Sequence, residues 1–242
     1  MSSEKPITKE NLNTYLLDLS KEFRRLNGRK MPAEIVLIGG AAVLAGYNFR
    51  EVTFDIDALI VASSAMKDAI RHVADKNDLP HDWLNTDFRR TTSYSDRLFE
   101  VSVYYKTLSN ILEIRIVTAE YLIAMKLMSG RLYKNDISDI AGILLEHKNR
   151  GTPISAETIY SAVARLYGES AVIPGRMKQW LEEALANGDY ETIYVESRAG
   201  EKDAKAILLD FEKHNPGELR GENIDAIIEA AIRKRENAAN SD

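Results

Sequence analysis

Two aspartates separated by one residue, in Val52-Thr-Phe-Asp55-Ile-Asp57-Ala-Leu-Ile-Val61, interrupt an otherwise apolar run. In an extended strand, residues i and i+2 share a face with Cα atoms roughly 6–7 Å apart, so the two carboxylates converge. At an effective dielectric of ~20 their repulsion across ~6 Å is roughly 3 kcal/mol, which water or a cation must offset. Magnesium, which takes carboxylate and phosphate oxygens and keeps several waters, suits that role. The plainer reading is a pair of solvated strand carboxylates. Gly39-Gly40 forms a second candidate, because it follows the apolar run Glu34–Ile38 and opens a short small-residue segment, Ala41–Gly46. Free N–H groups at a helix start, beside the positive end of the helix dipole, suit a phosphate. A tight turn that needs glycine is the alternative. The spacing of Gly39, Gly40 and Gly46 matches neither a Walker loop nor a dinucleotide fingerprint.

The elements that must position these residues are legible from periodicity. Leu12, Tyr15, Leu16, Leu19, Phe23 and Leu26 recur at helical spacing behind Thr8, a residue suited to an N-cap. Buried strands are expected at 34–38 and 54–61, with a helix from Ser63-Ser64 to about Asp78. Residues 79–97 lack a sustained period and hold many turn formers, which predicts a long irregular loop or a pair of short turns. Trp83, in that loop, is the aromatic expected to be exposed; Tyr94, Tyr104 and Tyr105 read first as core, with stacking on a base as the alternative. Two further strands are expected at 99–105 and 111–117, followed by a helix from Thr118 to about Leu132 and another over 136–148. After Thr152, four helices are expected at 155–167, 176–186, 190–214 and 222–234, punctuated by Pro153, Pro174-Gly175, Asn187-Gly188 and Asn215-Pro216-Gly217. The fold class is therefore α+β: a small mixed sheet flanked by helices over residues 1–150, including the N-terminal helix, with an all-helical extension over 151–242.

The chain has 242 residues, 45% hydrophobic and 29% charged, enough apolar material for a core. Zero cysteines exclude a thiolate nucleophile, iron–sulfur clusters and Cys-ligated zinc. His72, His81, His147 and His214 are too scattered to form a metal site. A net charge of −5 argues against a general DNA-coating protein. That charge is uneven: residues 1–150 carry 21 Lys and Arg against 20 Asp and Glu, whereas 151–242 carry 11 against 17. A polyanion would meet the first part more readily, and the acidic helical part suits a protein partner. No membrane-length apolar run or signal-peptide pattern is present, so a soluble cytoplasmic protein is expected.

Taken together, Ile38-Gly39-Gly40, a short helix, Arg50-Glu-Val-Thr53 and Asp55-Ile-Asp57 resemble the signature of the nucleotidyltransferase superfamily with the DNA polymerase beta-like fold. Glu120-Tyr-Leu-Ile-Ala-Met-Lys126-Leu-Met-Ser-Gly-Arg131-Leu-Tyr-Lys134-Asn-Asp136-Ile-Ser-Asp139 resembles the helix pair of the AbiEii-like and domain-of-unknown-function 6036 branch, as do Trp83-Leu-Asn85 and Ser93-Tyr-Ser95. The resemblance spans roughly residues 34–148. It implies in-line attack of an acceptor hydroxyl on the α-phosphate of a nucleoside triphosphate, with two magnesium ions. It assigns metal binding to Asp55 and Asp57, the phosphate-facing turn to Gly39 and Gly40, and phosphate neighbourhood to Lys126. Asp139, with Asp136, occupies the last acidic motif. Arg50, Thr53 and Arg131 are candidate nucleotide contacts, with pairing of Arg50 to Asp57 as its alternative. A third metal carboxylate is usual in the superfamily; Glu113 in Leu112-Glu-Ile114 is the candidate, with Glu100 behind it. Without the resemblance, Lys126 and Arg131 read equally as a solvated helix face, and Asp136 and Asp139 as complements to a helix dipole.

Three functions follow. The first is transfer of a nucleoside monophosphate to an RNA or tRNA end or a protein side chain, with a place in a toxin–antitoxin pair implied by AbiEii-like relatives. The second is a catalytically inactive member that binds nucleotide or RNA or serves as an interaction subunit. The third is a small-molecule adenylyltransferase, for which Glu182, Glu183 or Asp189 would supply an acidic acceptor pocket.

Overall fold

A computed structural model describes residues 5–28, 31–131, 135–221 and 223–239. In chain order its elements are β1 (Ile7–Thr8), α1 (Lys9–Asn27), β2 (Ala33–Leu37), α2 (Gly39–Gly46), β3 (Val52–Thr53), β4 (Ile56–Val61), α3 (Ala65–Asn77), β5 (Leu84–Asn85), β6 (Ser102–Leu108) and β7 (Leu112–Val117). There follow α4 (Ala119–Ser129), α5 (Asp136–Asn149), α6 (Ala156–Tyr167), α7 (Gly175–Asn187), α8 (Tyr190–His214) and α9 (Ile224–Ala239). The expected α+β class is what the chain adopts.

Five strands pair in the order β5-β4-β2-β7-β6, and β1 pairs with β3 beside them. Central β2 runs antiparallel to β4 and parallel to β7. It is covered on both sides, which explains its almost continuous apolar run, Ala33-Glu-Ile-Val-Leu37. Thr8 caps α1 as expected: its Oγ1 accepts from the Asn11 N–H, and the Asn11 side chain accepts in return from the Thr8 N–H, a capping box. Leu12, Tyr15, Leu16, Leu19 and Phe23 are the buried apolar face of α1.

One hydrophobic core runs from Ile7 to Leu181, and α6 joins it through Ile159, Ala162, Val163 and Leu166. A smaller cluster, Ala204, Leu208, Ile224 and Ile228, packs α8 against α9.

Several boundaries differ from expectation. The strand expected at 54–61 begins at Ile56, so Phe54 and Asp55 occupy a bend at its entrance. The strand expected from Phe99 begins at Ser102. The helix expected to reach Leu132 stops at Ser129, where Gly130 takes φ +62°, the left-handed C-cap conformation; Leu132 lies outside the described residues, as do Lys134 and Glu222. Residues 79–97 condense into β5 and two short 3-10 turns, Asp87–Arg90 and Asp96–Leu98. Trp83 is buried, not exposed: its Nε1 donates to the Ile70 carbonyl at 3.1 Å, and its ring meets Tyr15 edge-on at 5.9 Å. Conversely Tyr104, on the edge strand β6, is exposed.

Phe49 shows how tightly α5 is seated. Its ring lies between Tyr47 and Tyr194, at 5.6 Å from each, and faces Gly142 so closely that a Cβ there would come within 2.6 Å. An alanine normally favours a helix interior over glycine by about 1 kcal/mol. At Gly142 overpacking wins, and Gly142→Ala should destabilise the protein by about 1–3 kcal/mol. Urea unfolding measures this, and an unchanged or raised stability would contradict the packing described.

Candidate active site

The turn from β2 into α2 brings Gly39 and Gly40 to one wall of a cleft of ≈ 640 Å³. Gly39 is required by its backbone conformation and Gly40 by its surroundings. Gly39 has φ +53°, and a Cβ on it would lie 3.4 Å from Asp57 Oδ2. A Cβ on Gly40 would come within 2.8 Å of Arg50 Nη2 and of Thr53 Oγ1. The turn is therefore packed directly against the acidic and basic side chains of the site. Asp57 projects from β4 and is half-buried, whereas Asp55 stands exposed in the bend before the strand; both line the cleft. The Thr53 hydroxyl donates to the Asp55 carbonyl at 3.2 Å, fixing that bend.

Along the same cleft, five charged side chains form a chain of ion pairs around the buried carboxylates of Asp136 and Asp139. Lys126 Nζ lies 2.6 Å from Asp139 Oδ2 and 3.1 Å from Asp136 Oδ1. Arg50 Nη1 pairs with Asp139, and Arg131 Nε with Asp136 at 3.1 Å. Ser129 Oγ donates to Asp136 at 2.9 Å. The side chains of Asp136 and Asp139 are 3% exposed and that of Lys126 is 9% exposed, so neither carboxylate can rely on water. Burial works to lower the Lys126 pKa, but Asp139 and Asp136 outweigh it and hold the ammonium above its ordinary value. Burial likewise works to raise Asp136, yet Lys126 and Arg131 prevail and keep it below the usual carboxylate range. Lys126 is thus a fixed cation rather than a proton donor near neutral pH. The pairing of Arg50 with Asp139 is one that the sequence alternatives for it, a nucleotide phosphate or Asp57, did not include.

Helix α8 closes the cleft with residues that carry no sequence signal. Glu201 reaches the first turn of α5, where its carboxylate accepts from the Ser138 N–H at 3.0 Å and the Ser138 hydroxyl at 2.5 Å. It supplies a helix-cap contact that Asn135, the N-cap residue, does not make with its side chain. One turn on, Lys205 lines the cleft with its ammonium 5.0 Å from the centre of the Phe54 ring, and Leu208 lines it beyond. A spacing of Glu201 to Lys205 on a helix reads as an ordinary i,i+4 surface pair. Nothing in it points to a cleft.

The site thus gathers Gly39, Gly40, Arg50, Thr53, Asp55, Asp57, Lys126, Arg131 and Asp139 in one place. Glu113 is not among them. It sits level with Glu34 on β2, whereas Asp57 is level with Ile38, four residues or roughly 13 Å along the strand at ~3.3 Å per residue. Its carboxylate is engaged by Arg115 at 3.0 Å. Glu100 is exposed in a turn outside the cleft lining, as are Glu182, Glu183 and Asp189 on or beside α7. Tyr104 and Tyr105 also lie outside the lining. No group of three or more His, Cys, Asp or Glu side chains among the described residues could hold a metal by itself. Asp55 and Asp57 nevertheless fit magnesium, which is commonly bound through one or two carboxylates while substrate phosphates and water complete its shell.

The lining carries six aspartates, Asp55, Asp57, Asp82, Asp87, Asp136 and Asp139, against Arg50, Lys126, Arg131 and Lys205. Among the described residues no helix is long and apolar enough to cross a membrane.

Residues 14–148 match the family described as "Nucleotidyltransferase of unknown function (DUF6036)". Neither a curated protein nor a solved structure matches the chain. The matched stretch contains every cleft residue except Lys205 and Leu208.

Glu201 makes the site's pH dependence testable. Burial, reinforced by Asp139, pushes its carboxyl up to about 7 against the opposing hydrogen bonds from Ser138. The folded state then keeps a proton that the unfolded state releases, so stability falls as pH rises from the ordinary carboxylate range to about 7. Below that window the penalty is absent. Denaturant unfolding between pH 4 and 8 should show Glu201→Gln gaining stability relative to the wild type as pH rises. A difference independent of pH would contradict a protonated, buried Glu201.

Proposed function

We propose, from the premise that the chain belongs to the DUF6036 nucleotidyltransferase family, that it is a metal-dependent enzyme moving a nucleoside monophosphate from a nucleoside triphosphate to a hydroxyl acceptor. The observation that carries this reading is the convergence of Gly39-Gly40, the Asp55/Asp57 pair and the fixed Lys126 cation on one cleft. Asp55 and Asp57 would hold magnesium. When bound, that ion supplies Lewis-acid polarisation of phosphate oxygens and lowers the pKa of a coordinated hydroxyl. Free N–H groups at the start of α2 would receive the phosphate chain. Lys126, held protonated and nearly immobile by Asp136 and Asp139, would place positive charge where negative charge develops, without reorganising during the reaction. Arg50 and Thr53, pressed against Gly40, set the floor on which the phosphates would rest.

For the acceptor we favour an RNA end. Arg89 and Arg90 are exposed on the 3-10 turn whose Asp87 and Phe88 line the cleft, giving a basic rim to an opening that is otherwise acidic. The AbiEii-like resemblance extends this to a toxin that modifies tRNA within a toxin–antitoxin pair. The 151–242 segment is proposed as a helical closure of the cleft that also offers an acidic face to a protein partner.

A second reading, nucleotide binding without transfer, draws on one observation: Glu113 does not join the aspartates, and no three-carboxylate group occurs among the described residues.

The discriminating experiment incubates purified protein with each labelled triphosphate, magnesium and total RNA. Transfer of label to RNA is expected from the wild type, with a loss of at least about 10²-fold in Asp55→Ala/Asp57→Ala. Label appearing in protein instead would move the acceptor, and equal transfer by the double variant would remove the carboxylates from the chemistry. Magnesium-dependent triphosphate binding by calorimetry without any transfer would favour the second reading.

A further inference from the structure

We infer that Lys205, on a helix outside the family-matched segment, binds the triphosphate of the nucleotide and so completes the substrate site from the C-terminal part of the chain. The inference rests on the nucleotidyltransferase reading and adds to it a residue that residues 14–148 do not contain. Three cations of the cleft are already committed: Lys126, Arg50 and Arg131 neutralise the buried carboxylates of Asp136 and Asp139. Turning any of them fully toward a ligand would strand a buried charge, which is strongly unfavourable. Lys205 is differently placed. It is exposed, and the contact it makes is with the face of the Phe54 ring at 5.0 Å.

A cation–π contact at an exposed ring is weak compared with a charge-assisted hydrogen bond to a phosphate oxygen, so the ammonium can exchange one for the other. Its position is not accidental, because α8 is pinned at two points. The Tyr194 hydroxyl donates to the Phe49 carbonyl at 3.0 Å, and Glu201 holds Ser138, the neighbour of Asp139. Lys205 is one turn beyond Glu201 on the same face, and Phe54 is the residue immediately before Asp55. The ammonium therefore stands at the carboxylate end of the cleft. Phe54, exposed at the cleft, holds the ammonium over the face of its ring.

Calorimetric titration of the full chain with magnesium plus inorganic tripolyphosphate, with magnesium plus each nucleoside triphosphate, and with a short single-stranded RNA tests this. Lys205→Ala should weaken tripolyphosphate and nucleotide binding by about tenfold, the loss of one charge-assisted hydrogen bond, with the melting temperature unchanged. Lys205→Arg should retain binding within about threefold of the wild type, since the charge is kept. Equal tripolyphosphate and nucleotide affinity in wild type and Lys205→Ala overturns the assignment while leaving the nucleotidyltransferase reading in place. Weakened RNA binding alone overturns it in favour of an acceptor contact. A wild type that binds neither probe overturns both the assignment and the reading beneath it.

Discussion

The site depends on a run of five charges in which Asp136 and Asp139, both removed from water, hold Lys126 between them and Arg50 and Arg131 at the ends. Burying two carboxylates this completely is affordable only because each meets two cations. The pairs also act as a positional constraint. Arg50 comes from the segment before β3, Lys126 from α4, Arg131 from the α4–α5 connection, and both aspartates from the first turn of α5. There the helix dipole favours negative charge as well. Satisfying this one network fixes four pieces of chain relative to one another and leaves a stationary positive charge on the cleft that the glycine turn also lines.

Everything adjacent is fitted to that constraint. Arg50 reaches Asp139 by crossing the Cα of Gly40, which is why no side chain can stand there. Phe49, one residue earlier, presses its ring on Gly142 of α5 and receives Tyr194 of α8. Glu201 of α8 completes the hydrogen bonding of the same α5 turn. Of the C-terminal helices, α8 is thus coupled to the charged centre through a few specific contacts, whereas α6 and α7 join the main core by apolar burial. The place of α8 on the cleft wall follows from those contacts.

How much of this was legible varied with the range of the interaction involved. Local signals carried far: Thr8 and Asn11 spell out a capping box, Ala33–Leu37 a doubly covered strand, and the helices after residue 155 their own periodicity and caps. The glycine turn and the aspartate pair stood out by residue type and close spacing, whereas Lys126 was singled out only through the family resemblance. What sequence could not convey was the pairing of distant groups. Glu113 has the right flanking residues and the right parity on its strand, but the register of β7 against β2 sets it four residues from the level of Asp57. Trp83 sits in an irregular segment yet is buried, since Tyr15 and the Ile70 carbonyl, both remote in sequence, receive it. Lys205 and Glu201 look like surface charges until α8 is docked on α5.

The central claim is that Asp55, Asp57 and the Gly39-Gly40 turn form one triphosphate and magnesium site facing Lys126. A crystal structure with a non-hydrolysable nucleoside triphosphate analogue and magnesium tests it most directly. Metal density is expected against the Asp55 and Asp57 carboxylates, and phosphate oxygens at the N–H groups of Gly39 and Gly40. A nucleotide bound elsewhere on the chain, or a triphosphate in the cleft with no metal at either aspartate, would contradict it.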